Sequence, residues 1–295
     1  MFASVFALII ILISGFSALL GGEPDYLCMF WNVENLFEGK PHFRDKCNGI
    51  AKTIMLAADE FGGVPDFVGL AEVENRRVVE KLVNNTVLRG LGYGIVHFDS
   101  PDHRGIDCAL LYRRDRFRLL LSKPCHLTDT SGRLLPTRDI LLAVLALKGL
   151  DLPPEPIAVL VNHHPSKVGA GSDERRAIAM GWLMFLRDSL LAEGIGRIIA
   201  IGDFNEEVKA APGVEATYPR GSGTIKFQGK WEKIDGCLVL EGLTAREHIF
   251  APPHLSTPDT RYSGIKPLRT FSGPRYLGGL SDHYPIILEV HNKSQ

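Results

Sequence analysis

The sequence predicts a sandwich of mixed strands and helices, α/β or α+β, rather than a purely parallel sheet. Three observations carry that expectation. Short apolar runs bounded by turn residues recur along the chain, as buried strands do. Some of these runs are separated by helical stretches while others follow one another directly, which departs from strict strand–helix alternation. Several runs also stop abruptly at polar clusters, most visibly where Ile198, Ile199, Ala200 and Ile201 reach Gly202 and deliver Asp203, Phe204 and Asn205.

In chain order, residues 26–32 read as a strand, and residues 45–61 as a helix ended by Gly62 and Gly63. Residues 66–71 form a short strand, then 75–88 a helix with Asn75 in place to cap it. Residues 94–98, 107–113 and 117–121 read as successive strands with tight connections. Strands at 139–147 and 157–162 flank a Pro-rich turn at 152–156. Residues 172–193 form the longest helix, capped by Ser172 or Asp173, and strands at 197–201, 234–240 and 285–290 complete the set. Residues 221–231 and the Pro- and Gly-rich stretch 244–279 read as loops.

At 295 residues, 45% hydrophobic and 23% charged, the composition is that of an ordinary globular protein. A net charge of −1 provides no global positive field for coating nucleic acid. Residues 2–20 are uncharged and nearly all apolar, so residues 1–22 read as a signal peptide or an uncleaved membrane anchor, and residues 23–295 as the folded domain. Either version places the protein outside the cytoplasm: secreted, periplasmic or membrane-anchored. The five cysteines show no CxxC pairing. Cys28, Cys108 and Cys237 lie in apolar runs and read as packing residues, which leaves Cys47 and Cys125 as the disulfide candidates.

The polar clusters at strand ends contain the chemistry. Asn32 ends the first strand, and Glu72 terminates another, where a carboxylate is costly unless paired or metal-bound. His163 and His164 point to opposite sides of an extended chain, so one of them faces a given site. Asp203 and Asn205, two apart, project to one side. Asp235 interrupts an apolar strand, and Asp282 with His283 precedes the last one. Singly, these are turn formers or structural ion pairs. Together they supply oxygen ligands for a hard cation and imidazoles for proton handling, the set used in hard-metal phosphoester hydrolysis. No GxxxxGK[ST] phosphate loop, GxSxG elbow or zinc-type Cys/His set is present.

In chain order, WNVEN, GLAEVEN, VNHHPSK, IGDFNEE, KIDGCLV and LSDHYPI resemble the motifs of the endonuclease/exonuclease/phosphatase superfamily over residues 26–290. The SDH that follows GDFN is the most specific combination. The resemblance implies an α+β fold of deoxyribonuclease I type, a four-layer α/β/β/α sandwich of two packed mixed sheets flanked by helices. It implies that Asn32, Glu72 and Asp282 hold Mg²⁺ or Mn²⁺, with Glu34 where some members carry a second acidic ligand. His163 and Asn205 would contact the scissile phosphate, and Asp203 would orient or deprotonate the attacking water. His283 paired with Asp235 would stabilise the transition state or assist proton transfer, and Arg104 is a further phosphate-binding candidate.

The function expected is divalent-metal-dependent hydrolysis of phosphodiester bonds by an exported, monomeric nuclease acting on nucleic acid. The same chemistry on a phospholipid or inositol phosphate head group is the alternative. A noncatalytic phosphate-binding module is the reading from another class. Basic residues interleaved with aromatics at Arg261, Tyr262, Lys266, Arg269, Phe271, Arg275 and Tyr276 suit stacking and phosphate contact, as do Lys226, Lys230 and Trp231.

Overall fold

A computed structural model describes residues 23–149, 155–167, 169, 171–207, 214–216 and 222–293. The expected leader, the centre of the Pro-rich turn and the start of the 221–231 loop lie outside the described residues. Strands β1 (Tyr26–Leu36), β2 (Phe67–Val73), β3 (Tyr93–His97) and β4 (Asp107–Arg113) open the chain, with helix α1 (Phe43–Glu60) before β2 and α2 (Arg76–Asn84) after it. Strands β5 (Phe117–Cys125), β6 (Ile140–Leu147) and β7 (Ile157–His163) lead to helix α3 (Ser172–Ala192). Then come β8 (Arg197–Asp203), β9 (Val214–Ala216), β10 (Ile225–Phe227), β11 (Lys230–Glu232), β12 (Asp235–Glu241) and β13 (Leu243–Ile249). Short strands β14 (Ser256–Pro258), β15 (Ile265–Pro267), β16 (Phe271–Ser272) and β17 (Arg275–Tyr276) precede the last strand, β18 (Ile286–Asn292).

Seven strands form one sheet in the order β3-β4-β2-β1-β18-β13-β9, and five form a second in the order β12-β8-β7-β6-β5. Three apolar layers join the four structural layers. Leu27, Met29 and Trp31 of β1 pack with Cys47, Ile50 and Ile54 of α1 on the outside of the larger sheet. Tyr26, Cys28 and Phe30 face Val159, Val161, Ile199 and Ile201 between the sheets. Ala158, Leu160, Ile198 and Ala200 face Ala179, Leu183 and Leu186 of α3 on the far side. Central strands covered on both faces need apolar residues on both, so they read as continuous apolar runs rather than alternating ones. The architecture is the α/β/β/α sandwich that the resemblance implied.

Several expectations are corrected. The 244–279 stretch contains β13, a full member of the larger sheet, and two hairpins, and residues 225–232 form a third hairpin. Helix α3 is capped at Gly171 in the left-handed region, which the missing side chain permits, rather than at Ser172 or Asp173. Asn75 does cap α2, its side chain accepting from Val78 N, but that helix stops at Asn84 and a 3₁₀ turn, Val87–Leu91, follows. All five cysteines are buried free thiols; Cys47 and Cys125 lie in different apolar layers and form no disulfide.

Candidate functional site

The strand ends with polar clusters meet at one pole of the sandwich. In the smaller sheet β7 and β8 run parallel with His163 opposite Asp203, and β12 runs antiparallel with Asp235 opposite Asp203. His163, Asp203 and Asp235 therefore form one row across three strands. In the larger sheet Asn32 pairs with Ala71, the residue before Glu72, while Asp282 and His283 lead into β18 beside β1. Asn32 Nδ2 donates to Asp203 Oδ2 at 3.0 Å and so joins the two sheets at the pole.

Local sequence explains how these side chains are presented. A Cβ on Gly202 would lie 2.5 Å from the carbonyl oxygen of Asn162 on the neighbouring strand, so only glycine lets β8 pass at this point. Asn205 adopts φ 53°, a left-handed conformation that Asn tolerates, and its N–H donates to Asp203 Oδ1 at 2.9 Å. The turn chemistry and the candidate site are here the same residues. Glu72 sits at a bulge between Ala71 and Val73 with φ 64° and accepts from Asn35 N at 3.0 Å. Backbone strain of this kind at a carboxylate is a mark of functional positions.

His283 Nδ1 lies 2.7 Å from Asp235 Oδ2, and both side chains are buried. Two further bonds fix the ring's own backbone: Trp31 Nε1 donates to His283 O at 2.9 Å, and His283 N donates to Ser281 Oγ at 3.0 Å. Burial alone lowers an imidazole; the Asp235 carboxylate overrides it and holds His283 well above 6.5, as a cation at neutral pH. Burial, then the adjacent Asp235, pushes Asp203 up to about 7. His163 Nε2 lies 3.6 Å from Asp203 Oδ2, and burial followed by Arg138 and Arg104 keeps that ring well below 6.5 and neutral.

The expected metal ligands lie beside these groups. Asn32 Oδ1 accepts from Glu34 N at 3.0 Å, and Asp282 Oδ2 pairs with Arg269 at 3.1 Å. Arg269 also donates to Glu34 Oε1 at 2.8 Å, and Glu34 Oε2 accepts from Thr270 N at 2.8 Å. Buried Lys46 donates to Glu34 O at 2.5 Å and to Thr270 Oγ1 at 2.6 Å. Burial lowers Lys46 to about 8 against the pull of Glu34, Glu72 and Asp282 together. Glu34, Glu72 and Asp282, from three strand ends, all lie within electrostatic reach of Lys46 and Arg269. Their oxygens, with the Asn32 carboxamide, are hard donors that fit Mg²⁺ or Mn²⁺. Asp203, Asp235 and His283 are the group that converges at this pole, with ligand atoms within 4.8 Å of one another.

Arg104 is tied bidentately to Asp102, both contacts 3.2 Å, with its side chain 47% exposed at the edge of the site. Sequence reading missed Arg138, which is buried and has its partners on three sides. It donates to His163 O at 3.1 Å, to Asp102 Oδ2 at 3.1 Å and to His164 O. Its only sequence signal is a charge placed just before the apolar run 140–147. Lys46 was missed as a neighbour of the acidic cluster for a similar reason, since it reads as an ordinary surface cation; Arg269, expected to contact phosphate, pairs instead with Glu34 and Asp282.

His164 faces away from the pole and packs edge-on against Phe204, with ring centroids 5.0 Å apart and neither nitrogen hydrogen-bonded. Burial, then Arg138 and Arg176, lowers it to about 3. Unfolded, the imidazole titrates near 6.5, so its contribution is fully present above that pH and is lost as pH falls toward 3. We expect wild-type stability to drop by up to about 1.4 kcal/mol per pH unit over this window from His164. Urea unfolding at pH 7.5 and 4.5 checks this: His164→Phe should lose less stability than wild type, and equal losses contradict the assignment.

A family model described as Endonuclease/Exonuclease/phosphatase family matches residues 37–217 and 211–292. Among solved structures, a functionally unknown conserved protein from Enterococcus faecalis is similar at 15% identity, covering 90% of this chain and 100% of that one, with a TM-score of 0.61. The human Nocturnin catalytic domain with bound sulfate anion is similar at 18% identity, covering 92% and 94%, with a TM-score of 0.59. TDP2 from D. rerio, complexed with single strand DNA product, is similar at 14% identity, covering 90% and 99%, with a TM-score of 0.56. These likenesses show the fold. No curated protein matches the chain.

Proposed function

The chain belongs to the endonuclease/exonuclease/phosphatase family, and from that premise we propose that it is an exported, Mg²⁺- or Mn²⁺-dependent nuclease hydrolysing phosphodiester bonds of nucleic acid. The family is one of metal-dependent phosphoester hydrolases, which supplies the reaction class; the substrate rests on the surface beside the site. Arg269 and Thr270, which hold Glu34, run directly into the β16–β17 hairpin. There Arg275 and Tyr276 are exposed, Phe271 packs on Tyr276 at 5.4 Å, and Tyr276 stacks on His42 at 3.8 Å while remaining 37% exposed. An aromatic and basic strip continuous with a phosphate-handling pole is the observation that carries the nucleic-acid reading, because bases stack and backbones pair on such surfaces. The D. rerio relative with a single strand DNA product supports it.

Phosphodiesters resist attack because their own charge repels nucleophiles. A divalent cation on Asn32, Glu72 and Asp282 would act as a Lewis acid on the phosphoryl oxygen and stabilise the leaving oxygen. The chain's own residues do the rest. Asp203, with a pKa near neutrality, accepts a proton from the attacking water as the new P–O bond forms. Asn205 spends one Nδ2 hydrogen on His164 O, at 3.0 Å, and has another for a phosphate oxygen. The imidazolium of His283, oriented and charged by Asp235, stabilises charge that builds on the phosphoryl group as the bond to the leaving oxygen breaks.

A panel of single- and double-stranded DNA, RNA, inositol phosphates and sphingomyelin in Mg²⁺ tests the substrate. Nucleic acid should turn over fastest; preference for a head group, or turnover of none, overturns the reading. Tyr276→Ala is expected to raise KM for a single-stranded oligonucleotide roughly 5- to 150-fold, the loss of one stacked base. KM for a small phosphodiester should stay unchanged, and an equal rise for both would contradict stacking. Export rests on the apolar stretch 2–20. The mature chain should begin after about residue 18–22 or sit in the membrane fraction, and intact protein soluble in the cytoplasm would overturn export. Among the described residues no helix is long and apolar enough to cross a membrane.

A further inference from the structure

Strand β3 ends at His97, and the chain returns through residues 98–106 into β4, which starts at Asp107. His97 lies opposite Ala109 in the antiparallel register, and Asp107 is two residues from Ala109, so both side chains share the outer face of the larger sheet. Those side chains are only 2% and 4% exposed. His97 Nε2 is nevertheless without a hydrogen-bond partner, 3.4 Å from Asp107 Oδ2. A buried imidazole nitrogen left unbonded is costly, and it needs a reason. Asp107 Oδ1 is held by Ser100 N at 2.9 Å, which turns Oδ2 toward the ring. Asp99, on the solvent side, brings a third ligand atom, and all three lie within 4.8 Å of one another.

We propose that His97, Asp99 and Asp107 form a second divalent-cation site, apart from the phosphoester site and selective for a first-row transition ion over Mg²⁺. One imidazole nitrogen and two carboxylates, with water in the remaining positions, match Zn²⁺, whereas Mg²⁺ prefers oxygen ligands throughout. An ion there accounts for the unbonded nitrogen. It also closes the 99–107 loop, since Asp99 and Asp107 stand at its two ends. That loop carries Asp102, the partner of Arg104 and Arg138.

The test uses the full chain stripped of metal and titrated with Zn²⁺ by calorimetry, alongside Asp99→Asn and His97→Gln. Asp99 is exposed, so Asp99→Asn keeps the fold and is decisive even if His97→Gln does not fold. Wild type should bind one Zn²⁺ equivalent that each folded variant loses or binds at least about tenfold more weakly. That equivalent should survive millimolar Mg²⁺ and raise the melting temperature of wild type alone. Identical stoichiometry and affinity in wild type and Asp99→Asn, or displacement of the extra ion by Mg²⁺, overturns the site.

Discussion

His283→Ala is expected to lower kcat/KM by about a hundred- to ten-thousand-fold, with Asp235→Asn close behind and the double variant little worse than either. The near-equality follows from geometry. Asp235 and His283 are buried together at 2.7 Å, and the ring's charge exists because the carboxylate opposes the cost of burial. With Asn at 235 the ring keeps a partner for Nδ1 but loses the field that keeps it protonated. Its folded pKa then falls, so the protonated fraction is lost at lower pH than in wild type. The alkaline limb of the kcat/KM profile should accordingly move to lower pH in Asp235→Asn. A merely structural role would leave that limb in place. Independent, multiplicative losses in the double variant would refute the dyad.

Glu72→Ala should lose about a thousandfold or more in kcat, because it removes a carboxylate proposed to hold the cation and with it the electrostatic help a cation would supply. Stability ought to behave differently. Glu72 holds a left-handed conformation, φ 64°, that costs an L residue of order 1 kcal/mol and costs glycine little. Glu72→Gly should therefore be as inactive as Glu72→Ala yet unfold at the same or a higher temperature. Thermal unfolding and steady-state rates on the two variants check this together. An active Glu72→Gly enzyme, or inactivity matched by unfolding, would contradict the role given to Glu72.

Much of this site is visible in the sequence because of how the sandwich is built. Strands β1, β2, β7 and β8 are covered on both faces, so their apolar runs are continuous and a single Asn, Glu, His or Asp at the end stands out. The residues that support the site stand out less. Strand β13 was hidden because LTAREHI carries Arg246, Glu247 and His248. Glu247 is buried in it, bonded to Cys237 N at 3.0 Å and paired with Lys233 at 2.6 Å. Arg138 and Lys46 look like surface charges until the fold buries them, and their partners, backbone carbonyls, the Thr270 hydroxyl and the Asp102 carboxylate, are ones that no spacing rule announces. His97 and Asp107 are brought together by antiparallel register alone.

Cation-dependent cleavage of a phosphodiester at this pole is the central expectation. The most direct measurement is the wild-type rate on a generic phosphodiester before chelation, in excess EDTA, and after Mg²⁺ or Mn²⁺ is restored. Activity should vanish in the chelator and return with either ion, while Glu72→Ala stays inactive throughout. An unchanged wild-type rate in excess EDTA would contradict it.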